Sequence, residues 1–272
     1  MKTIITVVVD NIGDMGMEGE WGLSLLIERG GEKLLLDTGS TNLFLQNLKC
    51  LGFDVKDIDY GVLSHAHYDH GNGIPAFLNL NKKAKFYLAG NACENCYHRR
   101  KLFRVYIGIP KGLLKKYPTR IQKVYGDYKL TEGVYIITHK TPGLSEIGQR
   151  EQMYVRKNWK FSFDDFAHEQ SLVLDTDNGL VILNSCSHGG VENIINEVQA
   201  TFPEKRIYGY IGGLHLFNKT EEEILHVAQV FKEKNIEYIR TGHCTKNRAF
   251  GILKQVLGDK IDQFKVGLTM EF

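Results

Sequence analysis

Residues 65 to 70 read His-Ala-His-Tyr-Asp-His, three imidazoles and a carboxylate in one short turn between Ser64 and Gly71. All four are donors that suit zinc or iron. In an extended stretch side chains alternate, so His65 and His67 point the same way and can grip one ion. Asp69 and His70 follow around the bend and face a second, so the spacing predicts two metals. A tag remnant would be a run of histidines at a terminus, whereas this segment lies well inside the chain.

The residues before the motif read as the device that delivers it. Asp54 to Ser64 is a polar turn entering a short apolar strand, with the histidines at its carboxyl end, where α/β sheets carry their sites. Upstream, Gly31 to Gly39 is another buried strand ending in Asp37. That acid has two readings, an N-cap for a helix over 41–51 or an acceptor that orients a ligand histidine. Further strands are expected at 2–9, 22–28, 85–89, 134–138, 170–175, 180–185, 206–211 and 237–240. Helices are expected at 191–201, 220–234 and 247–257.

With Leu36-Asp-Thr-Gly39 followed by Ser64-His-Ala-His-Tyr-Asp-His-Gly71, the chain resembles the metallo-β-lactamase-fold hydrolase superfamily. The match continues through Thr141-Pro-Gly143, His168 to Leu174, Gly179 to Gly190 and Thr241-Gly-His-Cys-Thr245. Cys186-Ser-His188, Gly213-Leu-His215 and Gly242-His243-Cys244 are most similar to the subgroup named for dihydropterin-ribofuranosylaminobenzene phosphate synthase. The resemblance implies a four-layer αββα sandwich in one domain spanning 1–272, with insertions near 90–130 and 144–167 covering the site. It implies that His243 joins Asp69 and His70 on the second ion, and that Cys186 stands where most members have a bridging aspartate. It also implies a role for Asp69 in steering the bridging water. Leu144 replaces the histidine usual after Thr-Pro-Gly, so the third ligand of the first ion is either His168 or His188.

The chemistry this implies is hydrolytic. A thiolate at Cys186 favours zinc or ferrous iron over magnesium and calcium, and two divalent ions are expected, zinc first, with iron or manganese as alternatives. Water on such an ion has its pKa lowered to about 7, and a pair of ions clamps the attacked group and its leaving oxygen. Cys186 also has the ordinary reading of a small buried hydrophobe. His215, in a glycine-rich turn after a strand, is a candidate for substrate binding or proton transfer. His98, His139 and His226 lack partners at ligand spacing and read as core or surface residues. Cys93-Glu-Asn-Cys96 is a lone pair with no second pair to complete a zinc site. Arg99, Arg100, Lys101 and Lys111 would make a positive rim for a phosphorylated or carboxylated small molecule.

Composition narrows the field. The chain has 272 residues and a net charge of +2, far from the strongly basic footprint of a nucleic-acid binder. No linker or low-complexity run divides it. The opening run from Met1 to Asp10 is too short for a signal peptide core, and no stretch reads as a membrane span. Five cysteines without a disulfide framework fit a reducing cytoplasm. The expected activity is a metal-dependent hydrolase of a small anionic, phosphorylated or pterin-like metabolite. The alternatives are a phosphate-releasing synthase of the dihydropterin type, a nuclease or phosphodiesterase, and a metal-binding sensor without turnover.

Overall fold

In the computed structural model, which describes residues 1–272, two seven-stranded sheets face each other. The first runs edge to edge through Thr269–Glu271, Thr3–Val9, Ser24–Arg29, Glu32–Leu36, Tyr60–Val62, Lys85–Ala89 and Ile121–Val124. The second runs through Ile261–Gln263, Tyr238–Thr241, Ile207–Ile211, Gly179–Leu183, Gln170–Thr176, Val134–Thr138 and Tyr128–Thr131.

The strand sequences explain the layering. Ile5 and Val7, Leu25 and Ile27, and Leu34 and Leu36 turn inward, where they meet Leu172, Leu174, Val181, Leu183 and Ile211 of the other sheet. The alternate residues Val8, Leu26 and Leu35 turn outward onto Phe44, Leu48, Ile74 and Phe77 of helices Leu43–Cys50 and Ile74–Leu80. On the far side Val173, Ile182, Tyr210 and Ile239 pack under helices Val191–Thr201, Glu221–Glu233 and Lys246–Leu257. Both faces of each central strand are buried, so the strands read as continuous apolar runs rather than alternating ones. This is the expected αββα sandwich. No helix is long and apolar enough to cross a membrane.

Strand direction places the site. Glu32–Leu36, Tyr60–Val62 and Lys85–Ala89 are parallel, as are Gly179–Leu183, Ile207–Ile211 and Tyr238–Thr241. Their carboxyl ends, and the loops that leave them, therefore collect at common edges.

The two insertions fold differently from a pair of separate covers. Cys96–Arg100 and Phe103–Tyr106 from the first pair with Met153–Lys157 and Lys160–Phe163 from the second, making a four-stranded antiparallel sheet. Residues 121–124 of the first insertion rejoin the main sheet instead. The small sheet is fastened to the histidine motif, because the Tyr68 N–H donates to the Ile107 carbonyl at 2.8 Å and His67 bridges Gly108.

A buried charged triad ties the second sheet to its helices. His139 lies between two carboxylates, with Nε2 2.5 Å from Glu169 Oε2 and Nδ1 2.8 Å from Glu197 Oε2. Glu197 also accepts the backbone N–H groups of Lys140 and Thr141, which anchors the Thr141-Pro-Gly loop to helix Val191–Thr201. Burial alone would pull the His139 imidazolium down, but the two carboxylates outweigh it and hold the group up at about 9. Because the folded value exceeds the ordinary 6.5, this stabilisation is complete below pH about 6.5 and is lost as pH rises through about 9. His139→Gln is expected to be less stable than wild type at pH 6, with the gap closing by pH 10. Denaturant midpoints at the two pH values measure this, and a pH-independent gap would mean that His139 packs without charge.

Candidate metal centre

His65 and His67 leave the carboxyl end of strand Tyr60–Val62, and His188 leaves the turn after Gly179–Leu183. All three are buried, and each brings a ring nitrogen within 4.8 Å of the other two. Three of their nitrogens, His65 Nε2, His67 Nε2 and His188 Nδ1, have no hydrogen-bond partner. Buried polar atoms are nearly always paired, so three convergent orphans mark a place for a Lewis acid. Burial holds all three imidazoles well below the ordinary histidine range, which keeps lone pairs available.

The second group lies beside it. Cys186 Sγ and His243 Nε2 are each 3.3 Å from His70 Nε2, and Asp69 Oδ2 is 3.8 Å from His70 Nε2 and 3.5 Å from His243 Nε2. His70 Nδ1 faces Asp37 at 2.8 Å and His243 Nδ1 faces Asn11 Oδ1 at 3.3 Å. Donation from both Nδ1 atoms assigns bare lone pairs to both Nε2 atoms. Two acceptors that close, with a thiol and a carboxylate alongside, fit a cation between them. Cys186 also groups with His65 and His70 on one side and with His188 and His215 on the other, the position of a bridge.

The holding groups come from strand ends that sequence reading only partly flagged. Asp37 is buried and accepts the Ser64 backbone N–H at 2.7 Å, the Ser64 hydroxyl at 2.6 Å and the His70 ring. Ser64 Oγ lies 2.9 Å from His65 Nδ1, so Asp37 sets the tautomer of two histidines. The helix Leu43–Cys50 instead starts at Asn42 without a side-chain cap, which removes the capping reading of Asp37. Asp10 accepts the His243 N–H at 2.8 Å, and Asn11 Nδ2 donates to the His243 carbonyl at 2.9 Å. Glu169 accepts the N–H groups of His188 and Gly189, and Asn184 Oδ1 those of Cys186 and Ser187. The shared signal is a polar residue just outside an apolar strand, after it at Asp10, Asp37 and Asn184 and before it at Glu169.

Residues 22–152 match the family model described as the metallo-β-lactamase superfamily. Those residues form a metallo-β-lactamase superfamily domain. It is 25% identical over 270 residues to a Methanocaldococcus jannaschii protein named 7,8-dihydropterin-6-methyl-4-(β-D-ribofuranosyl)-aminobenzene-5'-phosphate synthase, covering 92% of this chain and 90% of that one. It is similar to a solved structure described as a metal-dependent hydrolase of the β-lactamase superfamily, with 28% identity, a TM-score of 0.84 and 99% of each chain covered. A Bacillus subtilis metallo-β-lactamase-fold protein, YhfI, shares the fold over 100% of each chain at 14% identity and a TM-score of 0.61.

Within this fold the two candidates for the third histidine separate. His168 Nδ1 accepts the Ala66 N–H at 3.2 Å and Nε2 lies 3.0 Å from Asp164 Oδ2, so both ring nitrogens have protein partners. His168 groups with Asp164, Cys96 and His67 behind the first set, while His188 keeps an unpartnered Nδ1 facing His65 and His67. Cys96 is buried in the core cluster while Cys93 is exposed, so the pair forms no site of its own. Of the basic residues expected at the rim, Arg100 lines the mouth cavity; Arg99 donates to the Lys101 carbonyl and Lys111 lies over the Tyr106 ring. His98 also lines the mouth, and His226 pairs with Glu192 on the surface.

The mouth is a cavity of about 390 Å³ whose lining includes Trp21, Asp69, Arg100, Glu151, Phe217 and His243. A second cavity of about 460 Å³ lies between helices Ser145–Arg150, Val191–Thr201 and Glu221–Glu233. Both are lined by His188 and His215. His215 is buried with neither ring nitrogen hydrogen-bonded.

If the orphaned nitrogens mark the ligands, His188→Ala loses one ion while His168→Ala keeps both. Elemental analysis of the two variants, with folding checked by circular dichroism, is the measurement, and the reverse pattern would restore His168 to the site.

Proposed function

We propose that the chain is a dinuclear metal hydrolase acting on a small anionic metabolite. The observation that carries this is the convergence of three buried, unpartnered imidazole nitrogens beside a second carboxylate, imidazole and thiol group. His65, His67 and His188 would hold the first ion and Asp69, His70 and His243 the second, with Cys186 between them. Two divalent ions so held, zinc first because of the thiol, supply an activated water and Lewis acidity when bound.

The chain's own residues do the rest. Asp37, through Ser64, orients His65 and holds His70 directly. Asp69 presents its carboxylate beside His70 and His243, placed to orient the attacking water. His215, with both nitrogens unpartnered at the boundary of the two cavities, is placed to hold a proton for the leaving group. Arg100 supplies a positive charge at the mouth for an anionic substrate. Trp21 and Phe217 narrow the opening and limit water.

A second reading is a synthase that releases phosphate, and the second cavity favours it. It has room for an acceptor molecule and reaches the metal centre past His188 and His215. Similarity to the archaeal synthase supports the same reading.

Zinc-loaded protein is expected to turn over at least one of a p-nitrophenyl phosphodiester, a thioester and a lactam, and chelation should abolish the activity. His215→Gln is expected to lower kcat by about 10²-fold or more with metal content unchanged. Inactivity on all three with both ions bound would overturn the hydrolase reading. Full activity of His215→Gln would remove that residue from proton transfer.

A further inference from the structure

We propose that Cys244 is a second thiolate donor to the metal pair, binding beside Cys186 and His243. The inference rests on the dinuclear reading and adds a ligand to it. Cys186, His243 and Cys244 are all buried, and each brings its ligating atom within 4.8 Å of the other two. Cys244 also lines the mouth cavity together with Cys186 and His243.

Local structure explains how two consecutive residues reach one centre. His243 to Thr245 form a single 3-10 turn entered through Gly242, with His243 in the left-handed region at φ 47°. Thr245 pins the turn, its hydroxyl 2.6 Å from that of Thr241 and accepting the Leu214 N–H at 2.9 Å. Opposite, a Cβ on Gly213 would stand 2.5 Å from Cys244 Sγ, so the glycine leaves that space to the sulfur.

The surroundings of Cys244 are those of a donor. The His215 backbone N–H points at Cys244 Sγ at 3.3 Å, the kind of contact that stabilises a thiolate. As a thiol, its hydrogen-bond acceptor would be the Cys186 carbonyl at 3.7 Å. A buried cysteine that only packs is expected to sit among apolar side chains. Cys244 and Cys186 belong to none of the four clusters.

Two sulfurs make the centre softer than one. Such a set selects zinc or ferrous iron over magnesium and manganese, and each thiol must lose its proton on binding. The two sulfurs stand on separate loops, so metal would also fasten the turn after Gly179–Leu183 to the turn after Tyr238–Thr241.

The test uses full-length protein carrying Cys50→Ser and Cys93→Ser, which removes the exposed thiols, loaded anaerobically with cobalt(II). The readout is the near-ultraviolet thiolate-to-cobalt charge-transfer band per bound ion, which reports sulfur ligation directly. Because Cys186 bridges and Cys244 does not, Cys186→Ser is expected to lose about two thirds of the band, Cys244→Ser about one third, and the double variant all of it. A Cys244→Ser band equal to the parent's overturns the proposal. So does complete loss of the band in Cys186→Ser. A parent that binds no cobalt or zinc fails at the dinuclear reading instead. Should Cys244→Ser misfold, zinc-edge X-ray absorption of the parent counts sulfurs at about 2.3 Å without any ligand substitution. Three Zn–S bonds per zinc pair, two from the bridging Cys186 and one from Cys244, support Cys244, and two overturn it.

Discussion

The carboxylate of Asp37 is the contact on which the centre hangs. It is buried, sits in the left-handed region at φ 63°, and is saturated by the Ser64 N–H, the Ser64 hydroxyl and the His70 ring. A carboxylate placed there accepts from three groups at once, and each bond has a consequence. Two fix the end of the strand that carries the motif. The third, together with the Ser64–His65 link, turns the Nε2 atoms of His70 and His65 into bare acceptors facing the cavity. Removing that charge would take the acceptor from His70 Nδ1 and release the Ser64 hydroxyl that holds His65.

Glu169 does the corresponding work on the second sheet. It accepts the backbone N–H groups of His188 and Gly189, and His139 and Glu197 keep it in place. Each half of the sandwich therefore contributes one buried acid that shapes a ligand-bearing turn. The halves meet where parallel strands end, so groups as far apart in sequence as Asp10 and His243 come into contact. The cost of burying so many polar groups is large unless each is paired. Most of them are paired, and the unpartnered histidine nitrogens lie where an ion fits.

Access is governed by elements outside the two main sheets. The small four-stranded sheet joins segments from both insertions and is tied to the motif at Tyr68 and Ile107. It brings Arg100 and His98 to the mouth and leaves Arg99 facing solvent, because successive residues of a strand point to opposite faces. On the other side of His188 and His215, the helical cavity offers apolar walls from Leu214, Leu216, Val227 and Val230. A molecule reacting at the metals can thus extend in either of two directions.

What the sequence determined by itself was local. The six-residue motif, its strand and the apolar runs of the two sheets are legible because ligand spacing and hydrophobic runs are properties of neighbouring residues. Helix Val191–Thr201 and strand Val134–Thr138 fall where they were expected for the same reason. Strands Cys96–Arg100 and Lys160–Phe163 were not legible, since half-exposed hairpins rich in Arg, Lys and aromatic residues lack a buried face to set a pattern. Only tertiary structure separates the surroundings of His168 and His188. Both lie at workable spacing, and the difference is that Ala66 and Asp164 occupy the two nitrogens of one while the other keeps a bare Nδ1. The same accounting across distant loops assigned Asp37 to orientation rather than capping, and set Cys244 beside Cys186. Which donor is left without a partner depends on every group packed around it, and that is information no stretch of neighbouring residues contains.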